Sequence, residues 1–150
     1  MTLTEKINED LKTAMKAGDA LRRDTLRSLR AGIIELEKRG LERGITPDEE
    51  IALLNSAIKR RKETIEQLAN ANRPEVVEQE KKELAIVQEY LPAQMDEAEV
   101  AATIEKVVSS TGAAGPADFG KVMGLVMKEL KGKAEGAVIQ RIVKEKLGGA

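Results

Sequence analysis

The sequence predicts an all-α protein built as two unlike helical bundles, four helices over residues 1–92 and three over 96–150. Two observations carry that prediction. Hydrophobic residues make up 41% of the 150-residue chain, yet Tyr90 and Phe119 are its only aromatics. The core must then be built from Leu, Ile, Val, Ala and Met, residues that suit helices better than sheets. Apolar residues also recur at steps of three and four along nearly the whole chain, and helix starts and stops punctuate the recurrence.

In order, Leu3, Ile7, Leu11 and Met15 define a first helix that Gly18 stops. Asp19 caps a second, with Leu26, Leu29, Ile33 and Leu36 on one face and Gly40 and Gly44 at its end. "TPDEE" then combines an N-cap (Thr46), a first-turn proline (Pro47) and three acids that favour the helix dipole. The third helix carries Ile51, Leu54, Ile58, Ile65 and Leu68, and "NANRP" breaks it. Val77, Leu84, Val87 and Leu91 mark a fourth, which Pro92 ends.

One charged residue intrudes on each of the last two seams, Arg61 and Glu80. A short connection makes the two helices antiparallel neighbours. Folding the chain near Asn72 is expected to bring Arg61 and Glu80 within about a helical turn of each other. The alternative is that both reach out to solvent.

Beyond a hinge at Leu91–Met95, Asp96 caps a fifth helix with Val100, Ile104, Val107 and Val108 on its apolar face. "SSTGAAGP" reads as a loop. Phe119, Val122, Met123, Val126, Met127 and Leu130 form a sixth helix. After "KGKAEG", Val138, Ile139, Ile142, Val143 and Leu147 form a seventh.

The chain has no Cys and no His. That excludes disulfides, zinc sites built on those ligands, thiol nucleophiles and His-dependent triads. Only Asp, Glu, Lys and one Tyr remain as general acids or bases, and no convergent pair stands out, so no catalytic constellation, cofactor or metal is expected. No apolar run suits a signal peptide or a membrane span, and the expectation is a soluble cytoplasmic protein with no membrane partner. With 25 basic and 26 acidic residues the net charge is −1. A general coat for nucleic acid is thereby disfavoured, while a local basic patch stays open.

"GPADFGKV", Gly115 to Val122, has the Gly-x-x-x-x-Gly-Lys spacing of a phosphate-binding loop. Val122 occupies the place of the magnesium-binding hydroxyl, and no strand precedes the glycine. Asp118-Phe119-Gly120 spells a kinase motif without any other kinase element. The stretch reads instead as a helix start, with Asp118 as cap or first-turn acid and Gly120 and Gly124 as packing positions where a second helix comes close.

From Asp118 onward there are seven basic and four acidic residues, a net +3. Lys131 and Lys133 flank Gly132 on a turn that Gly136 closes, where backbone N–H groups and ammonium groups can meet a phosphate backbone. Lys121, Lys128, Arg141 and Lys144 complete the candidate RNA-binding set. The other basic clusters are Arg22, Arg23, Arg27 and Arg30, and Lys59 to Lys62. Acids flank both, which favours local pairing. No aromatic platform is available for stacking single-stranded bases.

"LRSLRAGIIELE", "RRKETIEQL", "EKKELAIVQEYLPAQ" and "DFGKVMGLVMKELKGKAEG" together resemble the YqeY family over essentially the whole chain. The resemblance implies a four-helix unit followed by a three-helix unit. The latter is similar to the C-terminal tail region of the B subunit (GatB) of the glutamine-dependent aspartyl/glutamyl-tRNA amidotransferase. That tail helps hold tRNA, while amide transfer and ammonia production occur in other domains. Carbon–nitrogen ligase activity with glutamine as amide donor is thus a family association only. Carried onto this chain, the matching "GKVMG" and "KGKAEG" elements make Lys121, Lys131 and Lys133 the leading RNA-contact candidates. Two positions depart from the pattern. Glu135 stands where Asp is commoner, and Lys128 stands where Pro is common, which should make the sixth helix more continuous. The partners implied are tRNA, and an amidotransferase or another translation protein. A protein-docking module without direct RNA contact is the alternative reading.

Overall fold

A computed structural model describes residues 1–39 and 43–148. Among these residues the chain forms seven α-helices and one short 3-10 segment. It divides into two compact units, Met1–Leu91 and Pro92–Ala150.

The first unit is a pair of helical hairpins. Helix α1, Leu3–Ala17, opens in a reciprocal capping box: Thr2 Oγ1 accepts from the Glu5 N–H, and the Glu5 carboxylate accepts from the Thr2 N–H. Gly18 ends it at φ 71°, a left-handed conformation that glycine adopts without Cβ strain. Asp19 follows at once and caps α2, Ala20–Glu37, by accepting from the Arg22 N–H. Helix α3, Pro47–Leu68, starts as the residues dictate, with Pro47 in the first turn and a second capping box between Thr46 and Glu49. Helix α4, Pro74–Gln88, returns beside it after a turn in which Asn72 sits at φ 53°. Asn tolerates that left-handed conformation better than other side chains do.

The core of this unit runs from Ile7 through Leu26, Ile33 and Leu54 to Val87, all nearly inaccessible. One expected core residue is replaced. Ala14 is buried, whereas Met15 is 53% exposed. Each step of four overshoots a full helical turn by about 40°, so a strict four-step stripe drifts off the core face by its fourth member. A single step of three, from Leu11 to Ala14, restores the register. Pro92 follows rather than terminates α4, which ends at Gln88, and Leu91 lies beyond the helix. Of the two glycines expected to stop α2, Gly44 takes φ 75°, and Gly40 lies outside the described residues.

The second unit packs α5, Glu97–Thr111, against α6, Phe119–Leu130, and α7, Gly136–Lys146. Asp96 and Glu99 make the third capping box. Its core is β-branched and aliphatic: Val100 and Ile104 meet Val122, Val126, Ile139 and Val143, all with no accessible surface. The segment expected to be a loop from Ser109 is helical to Thr111, and Gly112 closes α5 at φ 68°. Ser110 and Thr111 return their hydroxyl protons to carbonyls one turn back, which accommodates them in the helix. Helix α6 runs without interruption through Lys128, where a proline would have broken it.

Candidate functional site

The lysine turn after α6 has a defined geometry. Lys131 takes φ −56° and ψ 124°, Gly132 takes φ 77°, and the Lys133 N–H donates to the Leu130 carbonyl at 2.9 Å. These are the marks of a type II turn, whose third position requires a left-handed residue. Gly132 is therefore fixed by backbone geometry. Its neighbours Lys131 and Lys133 are exposed on either side of it, while Gly132 itself is buried.

The segment that begins the second unit bonds to the turn. The Gln94 side-chain amide donates to the Gly132 carbonyl and to the Pro92 carbonyl, each at 2.7 Å. The Met95 N–H donates to the Lys133 carbonyl at 2.9 Å. Residues 92–95 are thus bonded to the turn on its carbonyl side, which leaves the lysine side chains outward. Gln94 is the residue that sequence reasoning missed. Only its place in "LPAQ", inside one of the recognised stretches, hinted at a role.

Lys121 and Lys128 lie seven residues apart on the exposed face of α6, about 10.5 Å along its axis. Between and beside them are Gly120, Gly124 and Leu125, all exposed. Here the packing expectation for the two glycines is corrected. A Cβ added at Gly120 or Gly124 would meet nothing within 4 Å. The signal was available in the sequence: both glycines are out of phase with Val122, Val126 and Leu130, which face the core. A glycine in a packed position is found at Gly32 in α2, where a Cβ would come 2.8 Å from Leu53 Cδ1 of α3. Gly136 merely opens α7, with open space around a Cβ there too.

The remaining candidates are already engaged. Arg141 donates to Glu97 at 2.7 Å and to Glu145 at 3.1 Å, which ties α7 to the start of α5 and raises its pKa. The Lys144 ammonium lies 5.8 Å from the Phe119 ring centroid, a cation–π contact. Lys121, Lys128 and Lys133 enter no ion pair among the described residues. The exposed set with ammonium groups outside such contacts is therefore centred on α6 and the turn after it.

The phosphate-loop spelling dissolves in three dimensions. Gly115 is extended, Pro116–Asp118 is a single 3-10 turn, and Lys121 already lies within α6. Asp118 does not cap α6 with its side chain; its carboxylate accepts from the Ala114 N–H at 3.1 Å and closes the loop.

In the first unit the arginine cluster of α2 pairs locally. Arg22 makes a two-pronged bond to Glu89 at 2.8 and 3.1 Å, and Arg23 and Arg27 both face Asp24. The expected Arg61–Glu80 contact is also corrected, because Arg61 Nε lies 3.9 Å from Glu83. Asn72 is the fold point, and positions eleven residues either side of it are 61 and 83.

A family model described as "Yqey-like protein" matches residues 4–147. The chain belongs to the YqeY-like family. Both sequence stretches that meet at the Gln94–Gly132 contact lie inside that match. This YqeY-like chain is also similar to two fungal proteins, each called "Altered inheritance of mitochondria protein 41, mitochondrial". The one from Pyrenophora tritici-repentis is 29% identical over 148 residues, 95% of this chain and 80% of the relative. The one from Lachancea thermotolerans is 32% identical over 117 residues, 73% of this chain and 60% of the relative. The compartment in those names is that of the relatives. Within this YqeY-like chain, no described helix is long and apolar enough to cross a membrane.

Proposed function

We propose that the chain is a non-catalytic adaptor that grips the phosphate backbone of a folded RNA, tRNA in the first instance, through α6 and the turn after it. The observation that carries this reading is the strip formed by Gly120 and Gly124 beside Lys121 and Lys128. Gly124 lies in the interior of α6, where a glycine costs about 1 kcal/mol relative to Ala. Open space surrounds a Cβ there, as it does at Gly120 in the first turn, so packing within the chain does not offset that cost. A strip free of side chains lets a partner's backbone come close, and the lysines at its edge suit a polyanion. Lys131 and Lys133 extend the same charge onto the type II turn. The resemblance to the tRNA-holding tail of the amidotransferase B subunit supports the same partner. Carbon–nitrogen ligase chemistry would then belong to an associated enzyme that uses glutamine, with this chain supplying RNA contact.

The test is tRNA binding measured from low to moderate salt. Four lysine–phosphate contacts give a slope of log affinity against log salt of about −3. Reversing Lys131 and Lys133 to Glu lowers affinity at least tenfold and flattens the slope. Absence of binding at low salt removes the proposal.

A second reading, a docking face for a translation protein, rests on Leu125. It is 38% exposed on the same face, an apolar side chain between two lysines. Recovery of a translation protein by the intact chain after nuclease treatment, lost on Leu125→Glu, would favour this reading.

A further inference from the structure

We infer that Gln94 is the positioning residue of the lysine turn, and that the segment that begins the second unit thereby sets how Lys131 and Lys133 are presented. The inference rests on the functional reading above for its consequence, and on geometry alone for its mechanism.

Both partners of the Gln94 amide are carbonyl oxygens, which only accept, so the NH2 end of the side chain must face them. That group has two protons and meets two acceptors, one on each side. The Pro92 carbonyl lies in the segment that begins the second unit, and the Gly132 carbonyl lies in the type II turn. One side chain therefore holds the segment and the turn in a single arrangement. The Met95 N–H to Lys133 carbonyl bond fastens the far side of the same turn. Gly132 needs this support. A type II turn with glycine at its third position has other accessible conformations, because glycine moves among them at little cost. Two external bonds select one.

The residue type is specific. Glu at this position has no amide donor and would face two carbonyls with a carboxylate. Asn is one methylene shorter and cannot span both acceptors from the same backbone position. Met matches Gln in length and donates nothing.

The experiment compares the full chain with Gln94→Met and Gln94→Glu by amide exchange, by trypsin cleavage after Lys131 and Lys133, and by tRNA affinity. In Gln94→Met, exchange at the Lys133 and Met95 amides and cleavage at the turn rise about fivefold or more, while exchange in the α5 and α7 cores is unchanged. Gln94→Glu gives the larger effect. Affinity for tRNA falls several-fold, and the same substitution made on a Lys131→Ala, Lys133→Ala background lowers affinity no further. Unchanged exchange and cleavage at the turn in both variants overturns the inference. So does an affinity loss of equal size on the lysine-free background, which would place Gln94 outside the turn's function. If wild-type chain binds no tRNA but the turn loosens as described, the RNA reading fails and the positioning role stands.

Discussion

Arg61 and Glu83 face each other across the α3–α4 seam, with Nε and Oε2 3.9 Å apart and side chains only 13% and 17% exposed. The Arg61 Nε is buried and makes no hydrogen bond. The pair therefore meets at the outer limit of an ion pair, in a place where desolvation is costly. Attraction in such a site repays desolvation only when the remaining donors are satisfied.

The expected outcome is asymmetric. Glu83→Ala strands the arginine and destabilises the chain by about 1–2 kcal/mol. Replacing both by apolar residues, Arg61→Met with Glu83→Leu, leaves stability within about 1 kcal/mol of the original or raises it. Urea unfolding of Arg61→Met, Glu83→Leu and the double measures the coupling. Glu80→Ala serves as the control and shows no coupling to Arg61.

Glu49 gives a prediction in acid. The Arg43 guanidinium, bonded to it at 2.8 and 3.2 Å, holds its carboxyl down to about 2, and the Thr46 N–H adds to the effect. A carboxyl held below its ordinary 4.5 contributes stability that is complete above that value and lost as pH falls toward about 2. A carboxyl-resolved NMR titration should place the Glu49 midpoint near that value. Arg43→Ala should move it back toward 4.5, though not fully, because the capping bond to Thr46 persists.

Tyr90 gives the opposite sign in base. Its ring is buried, its hydroxyl donates to Asp10, and the Lys6 ammonium lies 5.2 Å from the ring centroid. Burial first, then the Asp10 carboxylate, push the phenol well above its ordinary 10.0. The folded chain therefore keeps a proton that the unfolded chain would release. That contribution is complete below the ordinary phenol value and is lost as pH rises above it. Tyr90→Phe should cost about 1 kcal/mol at neutral pH through the lost hydrogen bond. Its stability should then fall less steeply than that of the original chain between about pH 9 and 11. Denaturant midpoints across that range decide the matter, and an equal slope in both chains refutes it.

These contacts mark where the sequence was legible. Three caps were, because the mechanism is local: Asp19, Thr46 and Asp96 each accept an N–H three residues on, whereas Asp118 turns its carboxylate back to the Ala114 N–H. The all-α class was legible for the same reason, since the stripe of each helix lies within its own span. Glu83 is not legible because the pairing depends on the exact fold point, and a shift of one turn exchanges it with Glu80. Gln94 was not legible because its distant partner is a backbone carbonyl 38 residues away, and carbonyls leave no mark on residue type. The charge count from Asp118 onward overstates the free patch, because Arg141 and Lys146 pair with acids on α5 that such a count omits.

The glycines supply a last prediction, one that separates stability from function. Gly124 lies in the interior of α6 with open space around a Cβ, so Gly124→Ala should stabilise the chain by about 1 kcal/mol. Gly32→Ala should not share that gain. Its Cβ would press on Leu53 Cδ1 at 2.8 Å, and the leucine must turn away from a packed position. Its net effect should lie between no change and a loss of about 1 kcal/mol, because helix propensity and overpacking oppose each other. If the exposed strip on α6 receives a phosphate backbone, Gly124→Leu should keep the fold and weaken tRNA binding at least tenfold, with an unchanged salt slope. Thermal melts and binding isotherms on the same samples separate the outcomes. Full affinity in Gly124→Leu would mean that nothing approaches the strip closely, and the contact would then rest on the lysine turn alone.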